Sequence, residues 1–178
     1  MDGYLKTALN YTKIASQNEP TVLEYGGSFF ESYQTFANTK FIHGFNLAKQ
    51  GEGYLRNLED GAIVACGALK GRLLYWELGN EPDMYAVSST PAANGNVRPK
   101  NWNDAAYATE WLNVTRQIRQ QMGYTCKDMV TTQAYKFIAP SFAGTQGMDP
   151  WEAFQAGIDK DNIIAEFSSH RYVTFPPE

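Results

Sequence analysis

The 178-residue sequence has little cysteine and little histidine, with two of each. Cys66 and Cys126 form no CxxC pair and have no nearby ligand partners, which excludes the common zinc arrangements. The sequence leaves a mutual disulfide open, and two separately buried thiols is the reading it favours. Long apolar runs are also missing. The longest, Ala62 to Leu69, falls far short of the roughly 20 residues that cross a bilayer. The opening MDGYLKT has no charged-then-apolar leader pattern, so the expectation is a chain neither inserted in a membrane nor self-exporting. Basic clusters are absent as well. The 15 Lys and Arg are scattered singly among 19 Asp and Glu, for a net charge of -4, and this speaks against a nucleic-acid or anionic-membrane partner. No repeat, low-complexity segment or linker divides the chain, so a single domain over residues 1–178 is expected.

What is present is core-forming material. Hydrophobic residues make up 43% and aromatics 14%, enough for one buried core in a chain of this length. Leu5, Ala8, Leu9 and Thr12 have helical spacing and predict a helix over 2–16. Asn18-Glu19-Pro20 ends it, and a short strand is expected from Thr21 to Tyr25. Ser28 followed by Glu31 resembles a capping box opening a short helix. Lys40 to Leu47 reads as a buried strand, Gly53 to Leu69 as a helix stopped by Gly71, and Arg72 to Leu78 as the next strand. Met84 to Asn103 is a long Ser-, Pro-, Asn- and Gly-rich loop of the kind that usually serves a site. Asp104 is expected to cap a helix to about Met122, with Ala105, Ala108, Leu112, Thr115, Ile118 and Met122 facing inward. A strand from Met129 to Ala139 ending at Pro140, a short helix from Pro150 to Ala156 and a strand from Asn162 to Phe167 complete the reading. Alternating strands and helices predict an α/β fold with parallel strands. Asn10-Tyr11-Thr12 and Asn113-Val114-Thr115 match the N-glycosylation acceptor pattern, which has meaning only in a secretory pathway.

The segment LLYWELGNEPDMY, residues 73–85, carries the chemistry. An apolar run ends abruptly in Gly79-Asn80-Glu81-Pro82-Asp83. In parallel α/β barrels catalytic groups project from C-terminal strand ends, and Glu81 has that placement. Shielded by Trp76, Tyr75 or Tyr85, its carboxyl would resist ionisation and could donate a proton to a leaving oxygen, as a glycosidase acid must. Asn80 offers a donor and acceptors for a sugar hydroxyl, and Pro82 stiffens the turn. The plainer alternative is that Glu81 caps the next segment, with Asn80 and Asp83 in an Asx-type turn.

Trp76-Glu77-Leu78-Gly79-Asn80-Glu81-Pro82 resembles the acid/base motif on the fourth strand of the large (β/α)8 clan of retaining glycosidases. With TKFIHGFNLAKQ (39–50), YWELGNEPDMY and IIAEFSSHRY, the chain resembles glycoside hydrolase family 79, the β-glucuronidase and heparanase family. The resemblance implies a partial TIM barrel, roughly strands two or three to six with their helices. It also implies hydrolysis of β-linked glucuronic acid with retention, no metal or cofactor, and a carbohydrate as the binding partner. On it, Glu81 maps onto the general acid/base and Asn80 onto the residue contacting the sugar 2-hydroxyl. His43, Asn46, Tyr85, His170 and Tyr172 become substrate-binding candidates, and Arg171 could pair with a uronate carboxylate. His43 has the competing reading of a core histidine, and Tyr75, Trp76 and Tyr85 of packing residues.

A retaining mechanism needs a nucleophilic carboxylate about 5 to 5.5 Å from the acid. In this clan it lies on strand seven, which the resemblance places beyond residue 178, together with strand eight and the C-terminal β-sandwich. Glu166 is a weaker nucleophile candidate, since it falls on the second strand after Glu81 instead of the third. The full-length parent is expected to be secreted or vacuolar. Two alternatives stand beside the enzyme: a non-catalytic sugar-binding remnant that keeps Glu81 and Asn80 as a cradle, and a ligand-free remnant with exposed sheet edges.

Overall fold

The computed structural model describes residues 10–13, 20–49, 52–86, 97–144 and 147–170. Four strands, β3 (Phe41–Phe45), β4 (Leu73–Leu78), β5 (Phe137–Phe142) and β6 (Ile164–Ser169), form one parallel sheet in chain order. Successive strands are joined by α2 (Glu52–Ala68), α3 (Asp104–Thr125) and α4 (Pro150–Gln155), and α1 (Gly27–Thr35) precedes β3. The expected α/β class with parallel strands is what the chain adopts. Among the described residues no helix is long and apolar enough to cross a membrane.

Register divides the sheet into two unlike faces. His43 lies opposite Trp76 and Phe45 opposite Leu78, while Trp76 lies opposite Phe137. All five are buried; the four apolar ones form one core with Phe30, Leu58, Trp111 and Ile118 of the helices, and the His43 ring packs against it. The helices supply this layer because their apolar residues recur at 3.6-residue spacing. In α3 the buried residues are Tyr107, Ala108, Trp111, Leu112, Val114, Thr115, Ile118 and Met122. The opposite face carries Ile42, Gly44, Tyr75, Glu77, Ile138 and Glu166, and Ile42 there is 46% exposed.

Several local expectations are corrected. Residues 10–13, expected to be helical, form strand β1, paired antiparallel with β2 (Pro20–Glu24) in a two-stranded sheet apart from the parallel one. The rest of the expected 2–16 helix lies outside the described residues. Ser28 and Glu31 form no capping box, because the N-cap of α1 is Gly26 and Ser28 is already inside the helix. Asn103 rather than Asp104 caps α3, its side chain accepting from Ala106 N, and Ala105 points to solvent. The strand expected from Met129 starts only at Phe137, since Lys127–Val130 is a 3-10 turn and Thr131 to Ala134 continues the turn. β5 then runs through Pro140, where the ladder shifts register and Ser141 takes φ 57°. An irregular ladder is where a strand tolerates a residue without an N–H.

The two cysteines are disulfide-bonded and not separate thiols, with Cα atoms 6.4 Å apart. Cys66 lies near the end of α2 and Cys126 just past α3, so the bond ties two packed helices whose cysteines are 60 residues apart in sequence. Closing so long a loop removes much unfolded-chain entropy. Replacing both cysteines by serine should lower the unfolding free energy by about 2–4 kcal/mol, read from urea denaturation of the oxidised chain and the double variant. A loss under about 0.5 kcal/mol would show that the bond constrains little.

Candidate active site

The turn after β4 is built from residues with no freedom to spare. Gly79 has φ 88°, which favours glycine, and a Cβ there would sit 3.2 Å from Leu47 Cβ and 3.3 Å from Leu47 Cδ2, so Leu47 would also have to give way. Glu81 follows in the left-handed region, φ 49° and ψ 52°, at a cost of about 1–3 kcal/mol for a residue with a side chain. The surroundings hold it there. Glu81 N–H donates to Ser141 O at 3.0 Å, and Met84 N–H donates to Glu81 O at 2.9 Å. Pro82 opens the 3-10 turn Pro82–Met84. The Asp83 carboxylate, 1% exposed, accepts from Ala143 N and Gly144 N, both at 2.9 Å. The end of β4 is thus clamped to the end of β5.

This clamp presents the Glu81 carboxyl to one partner in particular. Glu81 Oε1 lies 3.0 Å from Nδ1 of His170, directly after β6, and the His170 backbone N–H donates to Phe142 O at 2.9 Å. Glu81 is 8% exposed, and the His170 side chain about one-third exposed, at 32%. A carboxyl and an imidazole nitrogen at this distance are within hydrogen-bond reach, with the imidazole partly exposed to solvent. That is the minimum apparatus for delivering or receiving a proton. Asn80 is exposed; its backbone N–H donates to Tyr85 Oη at 3.3 Å, and its side-chain amide has no partner among the described residues.

Of the other candidates, Tyr85 is a buried support, with burial pushing its hydroxyl up to about 12. Asn46 is exposed but occupied by its own turn, with Oδ1 accepting from Ala48 N at 2.9 Å and Lys49 N at 3.4 Å. Glu166 stands on the open sheet face opposite Ile138 and accepts from Tyr75 Oη at 2.9 Å. Trp76 is fully buried in the helix-side core, so it and Tyr75 are engaged elsewhere than in shielding Glu81. Arg171 and Tyr172 lie outside the described residues.

His43 sits in the packed layer, its Nδ1 2.7 Å from Tyr33 Oη and its ring among Phe30, Phe45 and Trp76. Burial pulls its pKa from 6.5 down to about 4. Between those values the unfolded chain binds a proton that the folded chain refuses, so stability falls as pH drops through that window. The expected loss is about 3 kcal/mol. The check is urea unfolding at pH 7 and pH 4 for the wild type and His43→Phe, in which this component disappears. Parallel pH slopes for the two proteins would contradict it.

Two features at this end had no sequence signal. Ser141 Oγ donates to Glu77 Oε1 at 2.5 Å and lies 2.6 Å from Ser168 Oγ, joining β4, β5 and β6 across the open face. Arg98, 3% exposed, is the second and joins more of the structure. Its guanidinium pairs with both carboxylate oxygens of Glu110 and donates to Leu47 O, Ala48 O and Val97 O. It also lies 5.6 Å from the Tyr85 ring centroid and 5.5 Å from that of Trp102. One residue therefore pins the loops after β3 and β4 to α3. A lone arginine in a polar loop carries no periodicity that would disclose this.

The chain is 42% identical over 176 residues to a β-glucuronidase of Aspergillus niger, an alignment covering 97% of this chain and 31% of that protein. It is 42% identical over 164 residues to a β-glucuronidase of Neurospora crassa, covering 89% of this chain and 28% of that protein. No family model matches, and no solved structure matches. The chain spans about a third of the length of these curated relatives. Over nearly its whole length it is similar to part of two β-glucuronidases, and that similarity supports a relationship to glycosidases.

Proposed function

We propose that this chain supplies the acid/base side of a retaining β-glucuronidase active site, as a single domain within a (β/α)8 barrel of the glycoside hydrolase family 79 kind. The proposal makes β3 to β6 the third to sixth barrel strands. The observation that carries it is the Glu81 carboxyl, 3.0 Å from His170 Nδ1, where β4 and β6 end. In a barrel, those ends are where substrate binds.

In this reading Glu81, protonated in the resting site, gives its proton to the glycosidic oxygen as the bond to the aglycone breaks. As carboxylate it then takes a proton from the water that releases the sugar. His170 holds the carboxyl in place through both steps. Asn80, whose amide has no partner among the described residues, contacts the 2-hydroxyl, and Tyr172 completes the sugar contacts. His43 and Tyr85 are assigned to packing, and no residue of the chain is assigned as nucleophile. The substrate class, a β-linked glucuronide, rests on the two relatives. No metal or cofactor enters the mechanism.

The test is to follow cleavage of an aryl β-glucuronide by the full-length gene product and observe the first-formed anomer by proton NMR. The β-anomer is expected first. Initial α-anomer would overturn retention, and cleavage of other aryl glycosides with no action on the glucuronide would overturn the substrate class.

A further inference from the structure

We propose that Asn113 is an N-glycan acceptor, modified before α3 packs, and that the oligosaccharide projects from the outer face of that helix. The proposal is independent of the catalytic reading. Its first support is the disulfide. Cys66 and Cys126 are both buried and bonded to each other, and structural disulfides form and persist in oxidising compartments. The secretory lumen is such a compartment, and there a tripeptide Asn-x-Thr has chemical meaning.

The second support is where α3 places the tripeptide Asn113-Val114-Thr115. Val114 and Thr115 are buried, whereas Asn113 is exposed. Exposed residues recur along α3 at Ala105, Thr109, Asn113, Arg116, Gln120 and Tyr124, a stripe that includes none of the helix's core residues. The Asn113 amide has no hydrogen-bond partner among the described residues, so nothing is lost when it is substituted. Ten residues separate it from the N-cap Asn103, about 15 Å along the axis, so a glycan there stands clear of the strand-end turn that carries Glu81.

The third support sets the timing. The Thr115 hydroxyl is fully buried and donates to Leu112 O at 3.0 Å, and the Thr115 carbonyl accepts from Tyr135 Oη at 2.6 Å. A transferase that must engage the threonine can reach it only before α3 is seated, so modification precedes folding. The donor is an oligosaccharide linked to a polyisoprenyl diphosphate. Asn113 Nδ2 bonds to the first sugar carbon as that carbon's bond to the diphosphate oxygen breaks. The lipid diphosphate leaves with the bonding electrons, and the amide gives up one proton to the transferase.

The experiment expresses the chain behind a secretion leader in yeast and digests both secreted and cell-retained oxidised protein with trypsin. Cleavage after Lys100 and Arg116 yields the peptide 101–116, whose only sequon is at Asn113. Enzymatic glycan release in heavy-oxygen water should leave labelled aspartate at 113 in most of this peptide, and Asn113→Gln should abolish the label while the protein still folds. Recovery of peptide 101–116 only in unmodified form, from both pools, would overturn the proposal. In a second arm, purified oligosaccharyltransferase and lipid-linked donor are offered the unglycosylated chain, folded or reduced and unfolded. Only the unfolded chain should accept the glycan, and transfer to the folded chain at the same rate would overturn the timing.

Discussion

Arg98→Ala is expected to lower the unfolding free energy of this chain by about 3–5 kcal/mol, the range for breaking a buried ion pair from one side. The Arg98 side chain is 1% exposed and Glu110 25% exposed, so removing the guanidinium strands a carboxylate that water reaches only in part. It also removes donors from Leu47 O at 2.7 Å, Ala48 O at 3.0 Å and Val97 O at 2.9 Å. Those carbonyls lie outside the four-stranded sheet, and a buried acceptor left without a donor is costly. Arg98→Lys should recover less than half of the loss, because one ammonium cannot reproduce a planar fork serving a carboxylate and three carbonyls. Arg98→Met separates packing over the Tyr85 and Trp102 rings from the polar bonds. Trp102 lies within stacking range of the guanidinium, so urea unfolding followed by tryptophan fluorescence reports on this junction. An Arg98→Ala protein within about 1 kcal/mol of wild type would mean that the ring stack and Glu110 hold the loops unaided.

Arg98 also shows where reading the sequence stops. The strands β3, β4 and β6 and the helices α2 to α4 were legible because each carries a repeating apolar pattern bounded by glycine, proline or a cap. Glu81 was legible because a carboxylate at the abrupt end of an apolar run is unusual in itself, and its pairing with His170 follows once β4 and β6 are in one parallel sheet. Partnerships set by distant chain were not legible. β1 is a strand because β2 pairs with it, although residues 5, 8, 9 and 12 are spaced as for a helix. The Cys66–Cys126 bond exists because two helix ends meet across 60 residues. His43 is drawn into the core by the register that places it opposite Trp76, and one residue of slip would have turned it to the open face. The bounds of β5 are not legible, because Pro140 signals a strand end and the irregularity at Ser141 that accommodates it has no signature of its own.

Glu81→Gln, in the full-length gene product, is expected to reduce kcat/KM on alkyl β-glucuronides by about 10²–10⁴-fold, the usual contribution of a general acid. Glutamine keeps the shape and the hydrogen bond to His170 but cannot donate a proton to a leaving oxygen, so fold and substrate binding should survive. An activated aryl glucuronide separates the two roles of the carboxyl. Its leaving group departs without protonation, so the first bond-breaking step should stay within about tenfold of wild type, whereas sugar release still needs a base and should slow. The result is a burst of aryl alcohol followed by a slow steady state. Azide, which attacks without giving up a proton, should restore turnover and appear in the product as a β-glucuronosyl azide. The left-handed backbone at Glu81 supplies a control. Glu81→Gly removes the φ 49° strain and should stabilise the fold while abolishing activity on alkyl substrates, an opposition found when strain is held for function. If Glu81→Gln left rates on alkyl and aryl glucuronides equally unaffected, the carboxyl would serve only to tie the turn after β4 to His170, and the proton donor would have to be sought elsewhere.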